Sequence, residues 1–109
     1  MSVILVDLDG TLAEYGGWVG PEHIGEPVPD MLFRVRKWLA NGDTVKIFTA
    51  RATVPELIPP IHAWCERHLG VRLEVTASKD FSTTWIYDDR AVRVRPNLGR
   101  PCCDYRGEG

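Results

Sequence analysis

Apolar and polar positions change rhythm several times along the chain, and each change marks an element. Val3-Ile4-Leu5-Val6 is an unbroken apolar run, which predicts a strand from Ser2 to Val6 covered on both faces. From Pro29 to Ala40 the period lengthens. Met31, Leu32, Val35, Trp38 and Leu39 recur at helical spacing, with a proline at the start and Asn41-Gly42 at the end. Thr44 to Phe48 returns to strand character. A helical turn is expected over Val54 to Ile58, then a helix starting at Pro59-Pro60, where proline is tolerated in a first turn, with Ile61, Trp64, Cys65 and Leu69 on its apolar side. Arg72 to Thr76 and Thr84 to Tyr87 predict further strands, separated by a short helix or turn around Lys79 to Ser82. Val92 to Val94 reads as a short fifth strand at the sheet edge, and from Pro96 the chain is an irregular tail rich in Gly, Pro and Arg. Trp38, Trp64 and Trp85 fall on apolar faces and are expected in the core.

The βαβαβ alternation predicts an α/β domain with a mostly parallel sheet of four to five strands. In an open parallel sheet the carboxyl ends of the strands lie along one edge, where ligands bind. Every predicted strand delivers polar groups there. The first is followed by Asp7-Leu8-Asp9-Gly10-Thr11-Leu12, in which residues two apart on a strand share a face and a Gly-Thr turn bends the backbone away. Two carboxylates so placed repel each other and raise one pKa, whereas a bound Mg²⁺ holds both ionised. An Asx-type turn closing a strand is the plainer use of the same residues. The second strand is followed by Thr49-Ala50-Arg51, the third by Lys79, and the fourth by Asp88-Asp89-Arg90.

In this order the motifs resemble those of the haloacid dehalogenase-like (HAD) phosphohydrolases: D-x-D-G-T, a Thr or Ser after the second strand, a Lys, and an acid pair after the fourth. They run from Asp7 to Asp89 and span most of the chain. The resemblance implies a Rossmann-like three-layer α/β/α sandwich. It implies that Asp7 is the nucleophile toward a phosphate monoester and that Asp9 is the general acid, then the general base. Mg²⁺ would be held by the Asp7 and Asp88 carboxylates and the Asp9 backbone carbonyl, with Asp89 behind as orienter or through water. Thr49 would donate to phosphoryl oxygens and Lys79 would neutralise charge. Arg51 and Arg90, next to motif residues, suit a bidentate contact to a substrate phosphate, or else pair with surface acids. The presence of Asp9 favours hydrolysis over dehalogenase and transport-ATPase chemistry. Only about forty residues separate Asp9 from Thr49, and the loop and one helix fill them, so no cap domain fits.

Rival readings weigh less. A response-regulator receiver needs an acid after the third strand, and Val75-Thr76-Ala77-Ser78 has none. A non-catalytic phosphate- or nucleotide-binding module on the same fold remains the alternative. The long segment Ala13 to Val28 carries Tyr15, Trp18 and His23. Such a loop beside a phosphate site contacts substrate, and Trp18 stacking on a base would make the substrate a nucleotide or a nucleic-acid end. The same tryptophan folded back would cover the sheet edge.

Composition narrows the setting. At 109 residues there is room for one core, so the chain is expected to be a single domain over 1–109. A net charge of −2 gives no bulk attraction to DNA or an anionic membrane. No apolar run nears the ~20 residues of a membrane span, and the start at Val3 lacks a signal peptide's basic flank and cleavage pattern, so a soluble, cytoplasmic protein is expected. Oligomerisation fits the capless type, some of whose members close over substrate that way. Cys65, Cys102 and Cys103 are too few for a disulfide framework. A zinc site from His62, Cys65, His68 and the Cys102-Cys103 pair is disfavoured, because steps of three and six residues turn through roughly 300° and 600° and carry His68 toward another helix face.

Overall fold

The computed structural model describes residues 1–102. Strands β1 (Val3–Asp7), β2 (Thr44–Phe48), β3 (Val75–Thr76) and β4 (Trp85–Tyr87) form one sheet in the order β3-β2-β1-β4, with every neighbouring pair parallel. Helix α1 (Pro29–Ala40) joins β1 to β2, and α2 (Ile58–Leu69) lies between β2 and β3. The molecule is therefore an α/β fold on a four-stranded parallel sheet, as the alternation of periods predicts.

β1 has neighbours on both edges, and Ile4, Leu5 and Val6 are all buried. A strand in that position shows a continuous apolar run rather than an alternating one. Ile4 and Val6 join Val45 and Ile47 of β2 in a single cluster with Val35 of α1 and Ile61, Trp64 and Cys65 of α2. Arg36 Nη2 donates to the His68 carbonyl at 2.9 Å and ties the two helices together. Both helices thus cover the same face. The chain steps in one direction from β1 to β2 to β3, and right-handed crossovers in one direction put their helices on one side.

Return to β4 reverses that direction, so its connection belongs to the other face, the side of Leu5 and Lys46. Residues 77–84 make this crossing as bends and turns without a helix. Lys46 Nζ lies 3.6 Å from Glu74 Oε2 and 3.9 Å from Asp80 Oδ2, which sets the crossing over that face. The helix-or-turn expected around Lys79 is a turn. At the amino end of β4, the Thr84 amide donates to the Val3 carbonyl at 2.8 Å.

Element ends differ from expectation where pairing, not pattern, sets them. β3 keeps only Val75 and Thr76, because β2 offers it partners only at Ile47 and Phe48. α2 begins at Ile58, after 3₁₀ turns at Ala50–Thr53 and Pro55–Leu57. Gly70 closes it with φ of 78° and its amide on the Glu66 carbonyl, a left-handed cap that a residue without Cβ adopts freely. Trp64 is buried and Trp38 is half-buried against Tyr87, with ring centroids 4.8 Å apart. Trp85, expected in the core, is 50% exposed, since β4 is an edge strand with β1 as its one neighbour. The expected fifth strand at Val92–Val94 does not join the sheet. Residues 93–102 fold back on themselves, with the Arg95 amide on the Arg100 carbonyl at 2.7 Å and the Cys102 amide on the Arg93 carbonyl at 2.6 Å. Among the described residues no helix is long and apolar enough to cross a membrane.

Candidate active site

Parallel strands end on one edge, and their registers bring the last residues abreast. Asp7 lies beside Phe48, Phe48 beside Thr76 and Val6 beside Tyr87, so Asp88 emerges next to Asp7. The strand order also turns back at β1, because the chain leaves it toward β2 and β3 and returns on its other side as β4. Loops diverge at such a point and leave a crevice. The crevice here measures about 510 Å³, and its walls include Asp7, Asp9, Tyr15, Thr49, Arg51, Asp88, Asp89 and Arg90.

One half of this cleft is acidic. A carboxylate oxygen from each of Asp7, Asp88 and Asp89 lies within 4.8 Å of the other two. Burial above all, then a hydrogen bond with Asp89 and the charges of Asp88 and Asp89, push the Asp7 carboxyl from its ordinary 3.8 up to about 7. Thr11 Oγ1 lies 3.3 Å from Asp7 Oδ2 and 3.2 Å from Asp89 Oδ1, one hydroxyl proton serving two acids. Asp88 Oδ1 accepts from the Arg90 amide at 2.7 Å, which fixes that carboxylate at the head of a turn. Gly10 has φ of 90°, and a Cβ there would stand 2.6 Å from Asp89 Oδ2, so only glycine lets the β1 turn pass this close to the second acid pair.

The other half is built around a buried cation. Arg51 is 7% exposed, and its Nε and Nη2 donate to Asp9 Oδ2 and Oδ1 at 2.8 and 3.0 Å, a bidentate pair. Nη2 also donates to the His23 carbonyl at 3.1 Å, and the guanidinium carbon stands 4.9 Å from the centre of the Trp18 ring. Its remaining nitrogen, Nη1, is buried without a partner. Thr49, also buried, accepts the Arg51 amide on Oγ1 at 3.1 Å, and this turn starts the 3₁₀ segment that points Arg51 inward.

The alternation expected to put Asp7 and Asp9 on one face ends with β1. The Leu12 and Ala13 amides both reach the Leu8 carbonyl, at 3.0 and 2.9 Å, and this tight turn sends Asp9 to Arg51 while Asp7 meets Asp88 and Asp89. Both acids still line the same cleft. Lys79 does not: it is exposed, is absent from the cleft wall and makes no ion pair among the described residues. Arg90 is in the wall and exposed. Trp18 is 56% exposed, with Arg51 against it rather than the sheet edge beneath it.

The loop over residues 13–28 is tethered at three places. Its base closes where the Val28 amide meets the Leu12 carbonyl at 2.7 Å and the Glu14 amide meets the Glu26 carbonyl at 2.9 Å; Trp64 Nε1 holds the Gly25 carbonyl at 2.9 Å, and Arg51 holds His23. Thr11, to which the motif assigns no task, bonds both acids, and its spacing of four from Asp7 across a turn is the signal for it. Burial pushes the Cys65 thiol up to about 11, which keeps it a protonated core residue. His62, Cys65, His68 and Cys102 form no metal-ligating group among the described residues, and Cys103 lies outside them. Comparisons with protein-family models, curated proteins and solved structures return no match to this chain, so its chemistry is to be read from the cleft itself.

Proposed function

We propose that the protein is a Mg²⁺-dependent phosphomonoester hydrolase of the haloacid dehalogenase-like type, acting in a soluble, cytoplasmic setting. It would be a capless form in which the Rossmann-like three-layer sandwich keeps one helical layer and reduces the other to the crossing at 77–84. The observation that carries the reading is the meeting of Asp7, Asp88 and Asp89 within 4.8 Å in the same cleft as Asp9, Thr49 and Arg51. Three hard oxygens, one of them from a carboxyl that burial and its acidic neighbours push toward neutrality, are a donor set that Mg²⁺ suits. The ion would be held by the Asp7 and Asp88 carboxylates and the Asp9 backbone carbonyl, with Asp89 alongside. When bound, it supplies the positive charge that lets an anionic nucleophile approach an anionic phosphate.

In this reading Asp7 attacks phosphorus, the ester P–O bond breaks, and Asp9 hands a proton to the leaving oxygen. Asp9 then takes a proton from the water that attacks the aspartyl-phosphate, which releases phosphate and restores the Asp7 carboxylate. Asp9 has both oxygens on Arg51, so one of those bonds has to open before a proton moves. The Thr49 hydroxyl is a donor for phosphoryl oxygens, and Arg51 Nη1, buried and unpartnered, would be a second once substrate binding uncovers it. Arg51 thereby takes the anion-binding task expected of Lys79. Arg90, Tyr15 and Trp18 at the rim would meet the rest of the substrate, and the two aromatics favour a nucleotide or a nucleic-acid end.

A second reading has a specific observation behind it. Asp9 engaged at both oxygens, with Lys79 outside the cleft, also suits a non-catalytic phosphate- or nucleotide-binding module. Hydrolysis of an aryl phosphate separates the two. The expected result is turnover that needs Mg²⁺ and is lost in Asp7→Asn. A wild-type protein as inactive as Asp7→Asn across a broad panel of phosphoesters removes the enzyme, and phosphate binding without turnover then identifies the module.

A further inference from the structure

Residues 93–102 take no part in the cleft chemistry, and their fold is specific. The Arg95 amide bonds to the Arg100 carbonyl, Val94 bridges Pro101 in antiparallel fashion, and the Cys102 amide bonds to the Arg93 carbonyl. Asn97 and Gly99, with φ of 66° and 68°, make the turn between. Side chains alternate along each arm, and residues directly opposite share a face. Arg93 and Arg95 on one arm and Arg100 on the other therefore project from one face of the hairpin, with Val94 and Pro101 on its reverse. All three arginines are exposed, and among the described residues none has a carboxylate partner. From residue 90 to 102 the chain carries Arg90, Arg93, Arg95 and Arg100 and no acid, although the whole protein is net negative.

We propose that this arginine face is a docking surface for the sugar–phosphate backbone of single-stranded nucleic acid, whose phosphorylated end enters the cleft. The proposal deepens the hydrolase reading by naming its substrate class and rests on it for the chemistry at the end, but the docking itself needs no turnover. Arg90 stands in the cleft wall three residues before Arg93, a span of at most about 11 Å of chain. One strand can therefore touch both. The guanidinium fork matches phosphate oxygens, and three forks on one face suit a repeated phosphate rather than a single one. Tyr15 in the cleft wall and Trp18 against Arg51, 44% and 56% exposed, add rings on which bases stack once they are unpaired, which selects a single strand over a duplex. A membrane would need an apolar anchor, and Val92, Val94 and Pro101 with a single leucine, Leu98, at the turn are a small one beside three arginines.

The test is fluorescence anisotropy with a labelled single-stranded oligonucleotide of roughly 12 nucleotides, carrying no terminal phosphate, in chelator, over a salt series. Three phosphate contacts give a slope of log affinity against log salt near −2, so wild-type binding should weaken roughly twentyfold between about 50 and 200 mM salt. The triple variant R93Q/R95Q/R100Q is expected to lose at least about tenfold in affinity at the low-salt end and most of the slope. Arg95→Glu alone serves if the triple variant loses its near-UV circular dichroism. Unchanged affinity and slope in the folded variants overturn the proposal, as does binding of wild-type protein to phosphatidylserine vesicles but not to the oligonucleotide. An inactive phosphatase assay with intact oligonucleotide binding removes only the hydrolase reading. Aryl phosphate turnover without oligonucleotide binding removes only the docking surface.

Discussion

Asp7 and Asp9 are two residues apart in one motif and line one cleft, yet they stand in opposite electrostatic conditions. Asp7 is pushed up to about 7 by burial and then by Asp89 and Asp88 crowding it, and it shares a threonine hydroxyl with Asp89. Asp9 has a buried guanidinium on both oxygens. The first half of the cleft is in deficit of positive charge, which only a proton or an added cation relieves. The second half is complete within the chain, apart from one guanidinium nitrogen left without a partner. The cause is the tight turn at Leu8–Ala13, which aims two like side chains at unlike neighbours. A paired-acid motif is thus two sites, one short of positive charge and one closed by an internal cation.

Breaking the closed half should have the largest effect. Arg51→Met leaves Asp9 half-buried without a partner and removes the support under Trp18, and loss of one member of such a pair costs about 3 kcal/mol. A urea midpoint measurement reads this directly. Replacing both members, in Arg51→Met/Asp9→Leu, should recover a large part of the loss, because the unpaired charge is the main cost. A double variant as unstable as the sum of the singles would show that Arg51 and Asp9 do not act as a pair.

The open half should respond to pH in the opposite sense from an ordinary paired carboxylate. Asp7 keeps its proton in the folded chain up to about 7 but loses it near 3.8 when unfolded, so between those values the folded state binds more protons. The Asp7 contribution to metal-free stability is therefore full below about pH 4, falls as pH rises toward about 7, and levels off above it. Screening from the open cleft reduces the fall to about 2 kcal/mol, roughly half of what the full shift implies. Asp7→Asn should flatten the profile, and millimolar Mg²⁺ at about pH 8 should restore the wild-type midpoint but not shift that of the variant. A metal-free midpoint difference between wild type and Asp7→Asn that does not fall over the same window would mean that the fold does not raise the Asp7 carboxyl.

Much of this contrast was legible in the residues, and the rest depended on long-range pairing. The central strand and α1 follow from an unbroken apolar run and a helical period, both local signals. Trp85 departs from the expected core because a strand's own pattern does not reveal whether its neighbours cover it, and β4 is at an edge. Val92–Val94 looked like an edge strand, but the turn at Asn97–Gly99 pairs it with its own continuation. The acids of the open half were readable because each sits at a strand end. Lys79 was not, since its direction is decided by how the crossing at 77–84 travels over the sheet. Arginine is seldom buried, so its place in the closed half went against expectation; the Thr49 turn that draws it inward is the cue to seek elsewhere. Net charge hid the arginine face, because a total says nothing of distribution.

A finer cut at the open half removes Thr11 alone. Its hydroxyl has one proton for two carboxylates, at 3.3 and 3.2 Å, so at any moment it satisfies Asp7 or Asp89 and not both. Thr11→Val keeps the shape and deletes that proton, at an expected cost of about 0.5–1 kcal/mol for a partly solvated bond. Stability is the less telling readout. With the donor gone, the ionised form of Asp7 loses a stabilising contact, so its titration by carboxyl-carbon NMR should move further above 7, while Asp9, held by Arg51 on the far side of the turn, should keep its wild-type chemical shift. If both signals move together, the cleft is one coupled site; if Asp7 moves alone, the boundary between its halves runs through the Gly10–Thr11 turn.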